Sequence, residues 1–207
     1  MISVSGKKWT EQKVNKNLVE KLKQDYGFGD ILSKLIISRN YDASEIYGID
    51  NSQKLSNIFK DDYDFKKASL ILLKTIKNNE NICILGDYDV DGTCATSLLV
   101  RYFTHINQKH FFYIPDRTED GYGASKKLFQ KLILKKPKLI IMVDCGSNSS
   151  EAIDYLNKHN IKSIIIDHHE IYKPFPKSNV IINPKKVITK KENSLLCATA
   201  LTYFFIE

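Results

Sequence analysis

From residue 63 onward the sequence predicts a doubly wound α/β domain: a mostly parallel, five-stranded sheet with helices on both faces, preceded by a small helical region at 1–62. Three observations lead there. Short β-branched runs recur from Ile82 onward. They are continuously apolar rather than alternating, as strands buried on both faces are. Longer stretches of helical periodicity separate them, and strands alternating with helices indicate parallel crossovers.

In chain order, strands are expected at 81–85 (NICIL), 110–114 (HFFYI), 138–143 (KLIIMV), 162–166 (KSIII) and 180–182 (VII). Helices are expected near 93–107, 124–136 and 148–159. A further helix, FKKASLILLKTIKNN at 64–78, leads straight into the first strand, and NSLLCATALTYFFIE at 193–207 reads as a closing amphipathic helix. Ahead of it, segments near 11–25, 29–38 and 52–60 read as helices broken by Gly27, Gly29 and Gly48, with no strong strand pattern.

A chain of 207 residues with 43% hydrophobic content can bury one full core plus a smaller appendage. The net charge of +7 is compatible with a polyanionic partner, but 24 acidic residues are interspersed with 31 basic ones, so charge is supporting evidence only. Cys83, Cys94, Cys145 and Cys197 form no C-x-x-C pair and sit in apolar or small-residue runs. That reads as mostly buried thiols in a reducing compartment, with neither a zinc site nor a disulfide framework. The opening MISVSGKKWTEQ has no apolar core of a leader, and runs such as LIIMV are too short to span a bilayer, so no membrane is expected and the cytoplasm is the default.

The chemistry gathers at strand ends. ILGDYDVDGTCATSLLV (84–100) crowds Asp87, Asp89 and Asp91 into five positions after the first strand, with Gly92 expected to form a tight turn and Thr93 to cap the next helix. In extended backbone, alternate residues lie about 6.7 Å apart, and at an effective dielectric near 20 each pair repels by roughly 2 kcal/mol. A cation would relieve that repulsion. The third strand ends in Asp144 and the fourth in Asp167, His168 and His169. A single aspartate or histidine pair at a loop is ordinary; their recurrence where open α/β sheets bind ligands is not. Carboxylates with one or two imidazoles suit Mn²⁺ or Mg²⁺, and two ions about 3.5–4 Å apart would activate a water for displacement at phosphorus.

GDYDVDG (86–92), VDCGSNS (143–149) and DHH (167–169), in that order on successive strands, resemble the DHH phosphoesterase superfamily. With YIPDRTEDGYGAS (113–125), VIINPKK (180–186) and a helical lead-in carrying Trp9, the pattern is similar to its RecJ branch, 5′ to 3′ exonucleases specific for single-stranded DNA in repair and recombination. The resemblance implies two Mn²⁺ or Mg²⁺ ions. Asp89 and Asp91 would be ligands with Asp87 beside them, Asp144 would bridge the ions, and His168 would complete the set. His169 would face the scissile phosphate, so that Asp144, His168 and His169 carry the catalysis. For Asp167, ligation and an orienting role are both open. Arg117 would pair with a substrate phosphate and Tyr122 would shape the strand's path, where the residues alone read as a surface loop. Asn183 joins them as a candidate substrate contact, with a structural role equally open.

Leu85 stands where relatives that cleave nucleotides or pyrophosphate carry a histidine, which argues against a small-molecule pyrophosphatase. Members of this branch continue to a further ligand aspartate and a second domain, so the chain is expected to be a fragment with little activity alone. The acidic edge is expected to destabilise the metal-free protein. Three other readings compete. One is a phosphodiesterase for short oligonucleotides or cyclic dinucleotides, and another a metal-free scaffold binding nucleic acid or a partner. The third, a haloacid-dehalogenase-type phosphatase built on DVDGT (89–93), leaves the DCG and DHH segments without a role.

Overall fold

The structure, a computed structural model, describes residues 3–8, 10, 12–50, 59, 61–121, 123–186 and 196–207. It divides into two compact units, Met1–Ser56 and Asn57–Glu207. In the first, helices α1 (Lys16–Tyr26), α2 (Asp30–Ser38) and α3 (Ala43–Asp50) enclose a small core of Leu22, Ile36 and Ile46. Asn15 caps α1 through the Asn17 amide, and Gly27, at φ 68°, ends it in the left-handed conformation that glycine adopts at least cost. Helix α3 was not expected. Its start is a reciprocal capping box in which Asp42 accepts from the Glu45 amide (2.9 Å) and Glu45 from the Asp42 amide (2.8 Å). The helix expected at 52–60 lies outside the described residues except for Phe59, as does Trp9.

The second unit contains the five-stranded, all-parallel sheet that the sequence predicts. Its strands are β1 (Ile82–Leu85), β2 (His110–Tyr113), β3 (Leu139–Val143), β4 (Lys162–Ile166) and β5 (Val180–Ile182), in the order β2-β1-β3-β4-β5. Each boundary agrees with expectation to within one residue. β1 and β3 are buried along their whole length, because alternate residues serve different layers. Ile82 and Ile84 join one core with α4 (Tyr63–Lys77), α5 (Val90–His105) and α8 (Ala198–Ile206), through Phe65, Leu72, Leu99 and Leu201. Cys83 and Leu85 join the other with α6 (Lys126–Leu132) and α7 (Ser150–Lys158), through Phe129, Ile153 and Leu156.

Three expectations need correction. Helix α5 starts at Val90 rather than 93, with Asp89 as its N-cap in place of Thr93; the Asp89 carboxylate accepts from the Gly92 amide at 2.9 Å. Helix α8 is not amphipathic: it is wedged between α5 and the sheet, and its long side chains other than Tyr203 are largely covered. Finally, only Cys83 and Cys145 are buried, while Cys94 and Cys197 are exposed. Among the described residues no helix is long and apolar enough to cross a membrane.

Candidate metal centre

The order β2-β1-β3 places a switch point between β1 and β3, since the chain leaves β1 toward one side of the sheet and returns on the other. Leu85 pairs with Met142 across that point, so the segments carrying Asp87 and Asp144 leave the sheet side by side. The Asp144 amide donates to Ile166 (2.9 Å) and the Asp167 amide to Ile182 (3.0 Å), continuing the ladder one residue past β3 and β4. Successive strand ends therefore deliver their acidic residues to one rim.

The turn after β1 is compressed. A Cβ on Gly92 would lie 2.6 Å from the backbone of Asp87, and one on Gly86 would lie 2.0 Å from the Thr96 hydroxyl. Gly92 is thus the second residue after Val90 within α5, needed for close approach to the strand end rather than for the tight turn expected. Close approach holds Asp87, which is buried, near Asp89, which caps the helix.

Two overlapping triplets result. Ligand atoms of Asp87, Asp89 and Asp144 lie within 4.8 Å of one another, and so do those of Asp144, His168 and His169. Asp144 is common to both. It is fully buried, sits at φ 61°, a conformation rare for residues other than glycine, and neither carboxylate oxygen accepts a hydrogen bond. His168 Nε2 is 3.2 Å from its Oδ1 without the alignment of a bond. Burial pushes the Asp144 carboxyl up to about 8, and the charges of Asp91 and Asp89 add to the effect. Asp87 is raised in the same direction, by burial first and then by Asp89 and Asp167, with the Tyr88 amide opposing.

An isolated buried carboxylate is costly unless something cationic meets it. Oxygen donors from three aspartates, with imidazoles at one side, are the donor set of a hard divalent ion. These residues fit Mn²⁺ or Mg²⁺.

Asp91 belongs to neither triplet. Its Oδ2 is 3.5 Å from His168 Nε2, and both its carboxylate oxygens accept backbone amides of α8, from Ala198 at 2.8 Å and Thr199 at 2.9 Å. Burial works against ionisation of Asp91, but hydrogen bonds from the Thr199 side chain, the Thr199 and Ala198 amides and the Cys197 side chain outweigh it, and its pKa is lowered. Burial thus disfavours the charged forms of Asp87 and Asp144, whereas hydrogen bonds favour that of Asp91.

Asp167 is buried beneath the rim and saturated. Its Oδ1 accepts from the His168 amide (2.8 Å), the His169 amide (3.2 Å) and His169 Nδ1 (2.8 Å), and its Oδ2 from the Ser147 amide (3.0 Å). Burial opposes its charge, yet these bonds hold its pKa at about 2, and the same pairing raises that of His169. Of the two roles left open for Asp167, the geometry matches the orienting one.

Asn183 is buried behind the histidine loop. Its amide donates to Ser147 Oγ (2.8 Å) and to the His169 carbonyl (3.0 Å), while its Oδ1 accepts from the Lys185 amide (2.9 Å). Both its N–H groups are engaged inside the protein, where they brace the histidine loop. Arg117 is exposed, outside both triplets, with its guanidinium 5.6 Å from the ring centroid of Tyr88. Tyr122 lies outside the described residues. Sequence reasoning missed four participants. Tyr88 and Ser147 sit inside the quoted motifs and could have been asked what they face. Ala198 and Thr199 carry no local signal.

Residues 81–207 match the family described as DHH family, N-terminal domain. The single-stranded-DNA-specific exonuclease RecJ of Bacillus subtilis is 28% identical over 185 residues, 88% of this chain and 23% of that protein. RecJ of Escherichia coli is 32% identical over 120 residues, 58% of this chain and 21% of that protein. The chain thus spans under a quarter of the length of these relatives. Among solved structures, exonuclease RecJ bound to manganese aligns with a TM-score of 0.67 at 24% identity, covering 74% of this chain and 38% of that one. RecJ of Thermus thermophilus in complex with Mn²⁺ aligns at 0.65 and 19%, covering 93% of this chain and 26% of that one, a likeness of fold. With the family's match covering its sheet, its acidic rim and α8, the chain belongs to the DHH family.

Proposed function

We propose that this chain forms the metal-binding part of a phosphodiesterase that hydrolyses single-stranded DNA from the 5′ end with two Mn²⁺ or Mg²⁺ ions. The observation that carries the reading is Asp144, a buried carboxylate without a hydrogen bond, shared by two triplets of ligand atoms. Asp87 and Asp89 would hold one ion, His168 the other with Asp91 at its edge, and Asp144 both. Bound there, the ions would supply a water acidified enough to attack phosphorus and charge to stabilise the displaced oxygen. Asp167 fixes the His169 ring by Nδ1, and that ring contacts the scissile phosphate. Beside it lies a cavity of about 460 Å³, lined by Ser147, Asn148, Asp167, His169, Glu170 and Tyr172 among others, a volume that suits a single nucleotide. Arg117, outside the rim, pairs with a phosphate further along the strand. The RecJ names of the relatives support DNA as substrate and hydrolysis as reaction.

Two measurements test this. In calorimetric titration, Mn²⁺ binds the wild-type chain, and Asp144→Asn weakens binding by more than the roughly 100-fold that loss of an outer-sphere partner can cost. In a competition assay on the chain joined to the remainder of a RecJ relative, 5′-labelled single strands outcompete duplex and cyclic dinucleotides. Equal Mn²⁺ binding by wild type and Asp144→Asn would refute the metal reading; preference for cyclic dinucleotides would refute the substrate.

A further inference from the structure

Helix α8 begins without a cap of its own. Cys197, at the N-cap position, makes no side-chain bond to the first turn. A helix start leaves its first amides without partners in the helix, and an uncapped one of nine residues normally meets solvent there. Here Asp91 takes the place of the cap from 107 residues away: Oδ2 accepts the Ala198 amide, Oδ1 the Thr199 amide, and the Thr199 hydroxyl donates back to the Asp91 carbonyl at 3.0 Å. The Thr199 and Cys197 side chains also approach this carboxylate and, with the amides, favour its charged form. Oδ2 lies 3.5 Å from His168 Nε2, which is itself 3.2 Å from the unpartnered Asp144 Oδ1. Asp91 therefore stands between a helix start on one side and the metal triplets on the other.

We propose that the first turn of α8 is a positioning element for the metal centre. The Ala198 and Thr199 amides lock the Asp91 carboxylate in one orientation, beside the cation shared with Asp144 and His168, and the Thr199 hydroxyl holds the Asp91 main chain. This rests on the reading of the acidic rim as a metal site. The physical need for such a device is plain. Asp91 lies in the first turn of α5 among other carboxylates, and a free side chain there would rotate away from them into solvent. Two amides at a helix N-terminus supply partial positive charge and fixed direction at once, holding the ligand in place before any ion arrives. α8 can act as a fixed point because its body is anchored independently, with Leu201 and Phe205 in the same core as Leu99 and Phe103 of α5.

The test removes the bonds singly in the 207-residue chain. Ala198→Pro deletes one amide donor at the first helical position, where proline is best tolerated, and Cys197 already has the extended backbone (φ −79°, ψ 165°) that a residue before proline requires. Thr199→Val deletes the hydroxyl with little change of shape, and Thr199→Ser restores it. Mn²⁺ affinity is read by calorimetry, with the melting curve of the metal-free protein alongside. Ala198→Pro and Thr199→Val are expected to weaken Mn²⁺ binding by about 10-fold each, with Thr199→Ser returning to wild-type affinity. Wild-type affinity in both Ala198→Pro and Thr199→Val, whether or not the melting point falls, would overturn the proposal, since the bonds would then serve only to attach α8. Should Ala198→Pro not fold, the Thr199 pair decides. If Asp144→Asn binds Mn²⁺ like the wild type, the metal reading itself fails and takes the positioning role with it, an outcome distinct from the others.

Discussion

Asp144 and Asp167 occupy equivalent places, each one residue beyond a parallel strand of the same sheet and each buried. Their electrostatics are opposite. Asp167 accepts hydrogen bonds from two backbone amides of its own loop, one from the loop after β3 and one from the His169 ring, and is held near 2. Asp144 accepts none and is pushed up to about 8. The same burial that penalises both charges is overcome in one case and left standing in the other. One aspartate is thereby a finished structural part, and the other an open valence on which a cation can act.

The contrast can be broken most forcefully at Asp167. Replacing it by alanine orphans four donors around the histidine loop, and a loss of about 3 kcal/mol in stability is expected from the urea midpoint at neutral pH. Because the folded-state pKa is depressed, this contribution is present above the unfolded value of about 4 and disappears as pH falls toward about 2. Wild type and variant should therefore converge in acid. A midpoint shift worth less than about 1 kcal/mol would remove Asp167 from its structural role.

At Asp144 the sign reverses. The folded state keeps the proton that the unfolded chain releases near pH 4, so metal-free protein should lose stability as pH climbs from about 4 toward about 8. Asp144→Asn cannot ionise. In EDTA at pH 8 it should be about 2 kcal/mol more stable than wild type, with the two curves meeting below pH 4. A variant no more stable than wild type at pH 8 would mean that Asp144 has compensation the structure does not display.

The smallest effect belongs to the exposed Arg117. If it neutralises one phosphate, Arg117→Ala should flatten the salt dependence of single-strand binding by roughly 0.7 of a counterion without altering Mn²⁺ affinity. An unchanged slope would leave Arg117 as a partner of Tyr88 alone.

Much of this molecule was legible from local pattern. Apolar runs of a few residues bounded by turns located every strand to within a residue, because a strand buried on both faces tolerates little else. The capping box Asp42–Glu45 was equally legible and went unread, hidden by the weak apolar periodicity of ASEIYGID. The start of α5 is hard to read locally for a related reason: Asp89 serves at once as cap and candidate ligand, since one carboxylate can accept from a helix amide and still face a cation. Gly92 was recognised as necessary, but its reason lies in the nearby backbone of Asp87 rather than in a turn.

What the amino-acid order determined by itself is the sheet, its two covered faces and the arrival of acidic and imidazole groups at the carboxyl ends of β1, β3 and β4, since short-range periodicity and crossover topology leave few other arrangements. What only the tertiary structure decided is the role of each carboxylate. Asp87, Asp91, Asp144 and Asp167 are chemically identical, and their differences come from which donors reach them: adjacent ones joined by the Ser147 amide 20 positions away for Asp167, the α8 amides 107 and 108 positions away for Asp91, and no hydrogen bond for Asp144. Hydrogen bonding and desolvation act through space over a few ångströms, and no spacing along the chain records which amide will stand there.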